Sequence, residues 1–348
     1  MRNFDLNRLV RPNVAGLKPY SSARDEYKSV GREMTFLDAN ENPFRSDVNR
    51  YPDPQQRNLK DELSKIKGIA SENVLLGNGS DEVLDLLFRA FCEPGKDNII
   101  SLPPTYGMYS VLAGINNIEN REVLLSTAFQ PDLSEIFKAI NDNTRIIFLC
   151  SPNNPTGNSF SEDKVEEILQ KFSGLVVIDE AYIDFSKKKS WLRKLIDFPN
   201  LVITQTLSKA YGLAGIRLGI LYASEEIITV LNKIKPPYNV NQLTQQRALK
   251  ELKDQEKVKL QIADILGQRG MLFESLNEVD FVEKIYESDA NFILVKVDDA
   301  DERYRQLIEK GIVVRNRSSQ PLCENTLRIT VGTELENKRL IQALKELN

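Results

Sequence analysis

The sequence predicts an α/β fold: a mainly parallel central sheet flanked by helices, followed by a smaller α+β unit. Three observations carry this. Between residues 54 and 234, short apolar runs such as LVVI (175–178) and IIFL (146–149) alternate with amphipathic stretches. Period-free apolar runs of this length read as strands buried on both faces of a parallel sheet. Lys235-Pro236-Pro237 then interrupts the alternation, and more widely spaced strands and helices follow it.

Taken in order, residues 1–30 are polar and punctuated by proline, and they are expected to form an extended arm. Asp53-Pro54 has the form of a helix start, with Asp as cap and Pro in the first turn, and predicts a helix over 54–67. NVLLGNGSDEVLDLLFRAF (73–91) reads as strand, glycine turn and helix, with Ser80 or Asp81 able to cap it. Further strands are expected at 97–102, 120–125, 145–150, 174–179, 200–205 and 217–222, and helices at 80–92, 132–141 and 161–172. Residues 31–235 form one large unit in this reading. Residues 236–348 form the smaller one, with a single helix over 241–276, strands near 291–296, 311–315 and 326–331, and a last helix at 334–346.

Composition removes several classes of function. Lys plus Arg is 46 and Asp plus Glu is 50, a net charge of −4, and so near a balance argues against a nucleic-acid partner. No apolar stretch approaches membrane-spanning length and the first residues are polar, so the cytoplasm is the expected location. Cys92, Cys150 and Cys323 lie far apart without metal or redox spacing. Lys187-Lys188-Lys189 reads as a solvated loop. The chain has no histidine. That excludes Ser-His-Asp triads, His-ligated metals and histidine bases together. Proton transfer must use Lys, Asp, Glu, Tyr or water.

Against that background Ser208-Lys209, followed by Arg217 in QTLSKAYGLAGIRLG, stands out. A lysine among hydroxyls and small or apolar neighbours can form a Schiff base with an aldehyde. An arginine one short loop away can clamp a phosphate bidentately. An aldehyde and a phosphate together describe pyridoxal 5′-phosphate; a solvated lysine and a structural arginine are the competing reading. Asp179 ends the apolar run LVVID, where a carboxylate can pair with a protonated pyridine nitrogen or cap the next turn. Tyr182 and Asn154 can each hydrogen-bond a phenolate oxygen. Gly79-Ser80-Asp81 opens a helix whose free N–H groups suit a phosphate. Tyr106 in PPTYGMY can stack on a planar ring or pack in the core.

In this order GSD, PTY, NNPTG, DEAY and SK…R resemble the fold-type I, pyridoxal-phosphate-dependent aminotransferases of classes I and II, and the resemblance covers nearly the whole chain. LKPYSSAR (17–24), LDANENPF (37–44), RYPDP (50–54), LLGNGSDEVLDLL (75–87) and LRITVG (327–332) are similar to the histidinol-phosphate aminotransferases among them. The resemblance implies roles. Lys209 matches the Schiff-base lysine and general base, Asp179 the pyridinium partner, and Asn154 and Tyr182 the pair on the phenolate oxygen. Gly79, Ser80, Asp81, Thr206, Ser208 and Arg217 match the phosphate cup, partly through backbone, and Tyr106 the stacked aromatic. Arg328, Arg315, Tyr20, Asn40 and Asn154 match substrate contacts. Tyr51 matches a residue that reaches the neighbouring subunit's cofactor phosphate, which implies a homodimer with shared active sites. The substrates implied are an amino donor and a phosphorylated keto acceptor. Threonine-phosphate decarboxylases and aromatic aminotransferases share the same cofactor parts and are the alternatives.

Overall fold

The computed structural model describes residues 4–19 and 34–347. The apolar runs form a seven-stranded sheet in the order β1-β7-β6-β5-β4-β2-β3. Its strands are β1 (Val74–Asn78), β2 (Asn98–Ser101), β3 (Glu119–Glu122), β4 (Thr144–Cys150), β5 (Leu175–Asp179), β6 (Leu201–Thr206) and β7 (Leu218–Tyr222). From β6 through β3 every pairing is parallel, while β7 runs antiparallel to both β1 and β6. The fold class is therefore as the sequence predicts, with β7 as the reversed strand.

Both faces are covered, which is why the strands lack periodicity. Ile147, Leu149, Val176 and Ile178 enter one core cluster with the helices Arg57–Lys67 and Glu162–Lys171. Their chain neighbours Ile146, Phe148 and Val177 enter a second cluster under the helix Ser80–Phe91. Alternate side chains leave a strand on opposite faces, so the run must be apolar throughout. Full burial of each such side chain contributes about 1.5–3 kcal/mol.

A second, antiparallel sheet has the order β10-β11-β9-β8, from β8 (Val282–Ile285), β9 (Phe292–Val297), β10 (Arg315–Asn316) and β11 (Thr326–Thr330). Ile293, Val295, Leu327 and Ile329 point to one side of it, into a core shared with the helices Gln255–Leu276 and Glu334–Lys345. The opposite side faces the large sheet. There the Phe292 ring meets Tyr182 edge-on, with ring centres 5.1 Å apart.

Several elements differ from expectation. The described part of the arm is not extended throughout: it holds the short helices Leu6–Leu9 and Pro12–Ala15, and Val14 is buried. The single helix over 241–276 is two, Gln242–Leu252 and Gln255–Leu276, because the Asp254 side chain accepts from the N–H of Lys257 and starts a new helix. Gln242–Leu252 packs on Arg57–Lys67 and so lies with the first sheet. Helices Met108–Ile115, Glu225–Ile234 and Ala300–Glu309, and strand β8, are additions. The strand expected at 311–315 is only Arg315–Asn316, since Gly311 sits at a φ of +73°. Lys187, Lys188 and Lys189 are exposed.

Candidate active site

The carboxyl ends of β4, β5 and β6 converge with the start of the helix Ser80–Phe91 around one cavity. Ligands of open α/β sheets sit at such ends. Asp179 ends β5 at the cavity floor and is 4% exposed. Its Oδ1 accepts from the N–H of Ala181 at 3.2 Å and its Oδ2 from the Tyr109 hydroxyl at 2.9 Å. Burial raises its pKa despite these donors.

Lys209 lies in the turn after β6 and lines the same cavity. Its Nζ stands 5.6 Å from the centre of the Tyr182 ring. Burial first, and then the charge of Arg328, lower its pKa, while Asp179 and Asp81 oppose the shift. The amine is thus biased toward the neutral, nucleophilic form.

The third wall is the start of a helix. The helix Ser80–Phe91 has Gly79 at its N-cap, and no side chain caps it. Ser80 and Asp81 lie inside the first turn, not at the cap expected of them. Gly79 bridges to Leu218 of β7, and a Cβ on Gly219 would come within 2.3 Å of the Ser80 nitrogen. Only glycine lets β7 approach the turn this closely. A Cβ on Gly79 itself would meet Arg217 Nη2 at 2.6 Å. Arg217 pairs with Asp81 at 3.6 Å, and Asp81 also accepts from the Tyr106 hydroxyl at 3.0 Å. Thr206 Oγ1 accepts from the Ser208 N–H at 3.1 Å. First-turn N–H groups, hydroxyls and a guanidinium together suit a phosphate.

Asn154 connects this wall to the small sheet. Its Nδ2 donates to the Tyr182 hydroxyl at 3.4 Å, and its Oδ1 accepts from Arg328 Nη1. The Asn154–Pro155 peptide bond is cis. Arg315 is exposed and pairs with Arg328 across β10 and β11.

Ser80, Asp81, Tyr106, Asn154, Asp179, Tyr182, Thr206, Ser208, Lys209 and Arg217 therefore share one cavity. Tyr51 and Asn40 do not join it within this chain. They line a separate hollow with Tyr238, on which the Tyr51 ring stacks at 4.5 Å. Tyr20 lies outside the described residues. Tyr109 is the residue sequence reasoning missed. It is fully buried and stacks on Phe148 at 4.7 Å. The sequence offered no signal for it, since the helix that carries it was itself not expected. Glu180, beside Asp179, serves structure: it accepts from Ser190, the Trp191 N–H and Gln205.

The pattern of aminotransferase class I and II matches residues 36–344. The chain is 68% identical over 347 residues to the histidinol-phosphate aminotransferase of Christiangramia forsetii, covering 100% of this chain and 99% of the relative. It is 67% identical to that of Flavobacterium johnsoniae over 349 residues, with 100% of both covered. The chain belongs to aminotransferase class I and II, in the histidinol-phosphate aminotransferase family. Among solved structures, the family member from Clostridium acetobutylicum superposes with a TM-score of 0.80 at 24% identity, covering 86% of this chain and 91% of that one. The one from Sinorhizobium meliloti, solved in complex with pyridoxal-5′-phosphate, gives 0.79 at 24%, covering 86% and 83%.

Proposed function

We propose that this aminotransferase uses pyridoxal 5′-phosphate to move an amino group reversibly between L-glutamate and imidazole acetol phosphate. The products are L-histidinol phosphate and 2-oxoglutarate, in histidine biosynthesis. The observation that carries this reading is the 68% identity, over the whole chain, to a histidinol-phosphate aminotransferase.

The residues suit the cofactor. A buried carboxylate with a raised pKa favours a cationic partner, which a protonated ring nitrogen is. The uncapped helix start beside Arg217 favours a phosphate. When bound, pyridoxal phosphate supplies an aldehyde that takes up the amino group and a ring that withdraws electrons from the reacting carbon.

The chain's own groups divide the remaining work. Asp179 holds a proton on the ring nitrogen. Asn154 and Tyr182 would hold the ring through its phenolate oxygen, and Tyr106 would hold it by its face. Ser80, Asp81, Thr206, Ser208 and Arg217 bind the phosphate, partly through backbone N–H groups. Lys209 anchors the cofactor and, once its amine is free, moves the proton on the substrate carbon. Arg328 and Arg315 take the anionic end of either substrate, since a guanidinium fork serves carboxylate and phosphate alike. Tyr20 completes the substrate side, and Asn40, in the hollow with Tyr51, would do so for the partner's site.

Tyr51 acts on the partner's site of a homodimer. Its half-exposed phenol and its separation from its own chain's cavity support this. For the location we propose the cytoplasm, whose reducing conditions suit three buried, unpaired cysteines.

The test is a paired assay of the holoenzyme. Keto-acid-dependent amino transfer from L-histidinol phosphate is the expected activity. Carbon dioxide release from threonine phosphate, or turnover of aromatic amino acids alone, overturns the substrate reading and leaves the family membership intact.

A further inference from the structure

We propose that Arg317 is the third arm of an arginine site that selects a doubly charged phosphate ester over a carboxylate. The inference rests on the substrate reading above and deepens it.

Three arginines share one face of the small sheet. Arg315 pairs with Arg328, and the Arg317 N–H donates to the Thr326 carbonyl at 2.9 Å, so the pairing continues past β10. Side chains two residues apart leave a strand on the same side. Leu327 and Ile329, on the other side, fill the small sheet's own core. The arginine face is thus the one that carries Phe292 against Tyr182. The Arg328 guanidinium lies 5.2 Å from the Phe292 ring centre.

Three like charges in neighbouring register positions repel one another. A structural cluster of this kind normally interleaves carboxylates. Here none of the three makes a salt bridge among the described residues, and the Nε atoms of Arg317 and Arg328 are buried without an acceptor. Arg315 lowers the pKa of Arg317, and Arg317 that of Arg328, after burial in both cases. Arginine stays charged nonetheless. Among the described residues, then, no carboxylate balances this face.

The charge count identifies which anion. A carboxylate carries one charge and two oxygens and is satisfied by one fork. A phosphate monoester carries about −1.5 to −2 near pH 7 and three oxygens. Arg328, already committed by one amino group to Asn154, and the exposed Arg315 suffice for the first. Arg317 supplies what the second adds.

The test uses the holoenzyme, Arg317→Gln and Arg317→Lys, in single-turnover half-reactions with L-histidinol phosphate and with L-glutamate. Arg317→Gln should lower kcat/KM for the phosphate ester by about ten- to a hundredfold. That loss should exceed the loss for glutamate by about tenfold or more, and Arg317→Lys should recover part of it. The wild-type preference for the ester should also rise as pH passes about 6, where the second phosphate proton leaves, and the Gln variant should flatten that rise. Equal losses in both half-reactions, or none, overturn the proposal. If the wild type does not accept L-histidinol phosphate, the substrate reading fails separately. Inorganic phosphate then replaces it as competitor against glutamate, and unchanged inhibition in Arg317→Gln overturns the role of Arg317.

Discussion

The Tyr109 hydroxyl donates to Asp179 Oδ2 at 2.9 Å, inside a helix turn that also presents Tyr106 to the cavity. One helix start thus serves both the carboxylate beneath the proposed ring site and the aromatic facing it. Tyr109→Phe removes one donor from a buried charge, which is worth about 1.5–3 kcal/mol. Turnover of the phenylalanine variant should fall, with the Michaelis constants little changed. Asp179→Asn should fall much further in turnover and keep its fold by circular dichroism. A change in the Michaelis constant alone for Asp179→Asn would mark Asp179 as a turn cap.

Lys209 should react with free pyridoxal phosphate at a pH below that of an ordinary lysine. Burial and Arg328 hold its pKa under the usual 10.5, and only the neutral amine is nucleophilic. The rate of covalent uptake by the apoprotein, followed by absorbance, should rise with pH to a midpoint below 10.5. Arg328→Ala removes a neighbouring positive charge and should move that midpoint up. A downward move contradicts the electrostatic account. Lys209→Ala should take up no cofactor covalently, checked by mass after borohydride reduction.

Lys60 carries a cost that pH can relieve. It is buried in the helix Arg57–Lys67, and burial, then Lys235, lowers its pKa to about 8. The unfolded chain keeps that proton up to about 10.5, so between these values the unfolded state binds more protons and stability rises with pH. Below pH 8 the cost is present in full. Lys60→Met should therefore stabilise the protein at pH 7 by on the order of 3 kcal/mol, and the gain should shrink toward pH 10. Urea unfolding at both pH values measures it, and an equal gain at each contradicts the assignment.

A mixture of Tyr51→Ala and Lys209→Ala chains should recover activity that neither has alone. Tyr51 sits on a turn stiffened by Pro52 and Pro54, with its backbone N–H held by Glu41 at 2.7 Å. If each site takes Tyr51 from its neighbour, one heterodimer site carries both defects and the other neither. Heterodimers that form without recovery would remove Tyr51 from the shared site.

Much of this fold was legible because both faces of its sheet are covered, leaving strands such as LVVID apolar throughout. The helix Met108–Ile115 was not, since it follows the turn signal PPTYG and lacks a capping side chain. Strand β8 escaped because VEKI is polar and half-exposed at a sheet edge. At the site, motif residues on strand ends were readable from chain order. Tyr109 and Arg317 were not singled out, because their places depend on pairings across 70 and 9 residues.

The two sheets also divide the molecule's proposed work. Groups that fit the cofactor hang on the large sheet, and the arginines proposed to meet the substrate hang on β10, β11 and the turn between them. Asn154 bonded to Arg328 and Tyr182 packed on Phe292 are contacts that join them. Arg328 reaches across that join, so a change within residues 315–328 bears on the charge felt by Lys209 as well as on the arginine face.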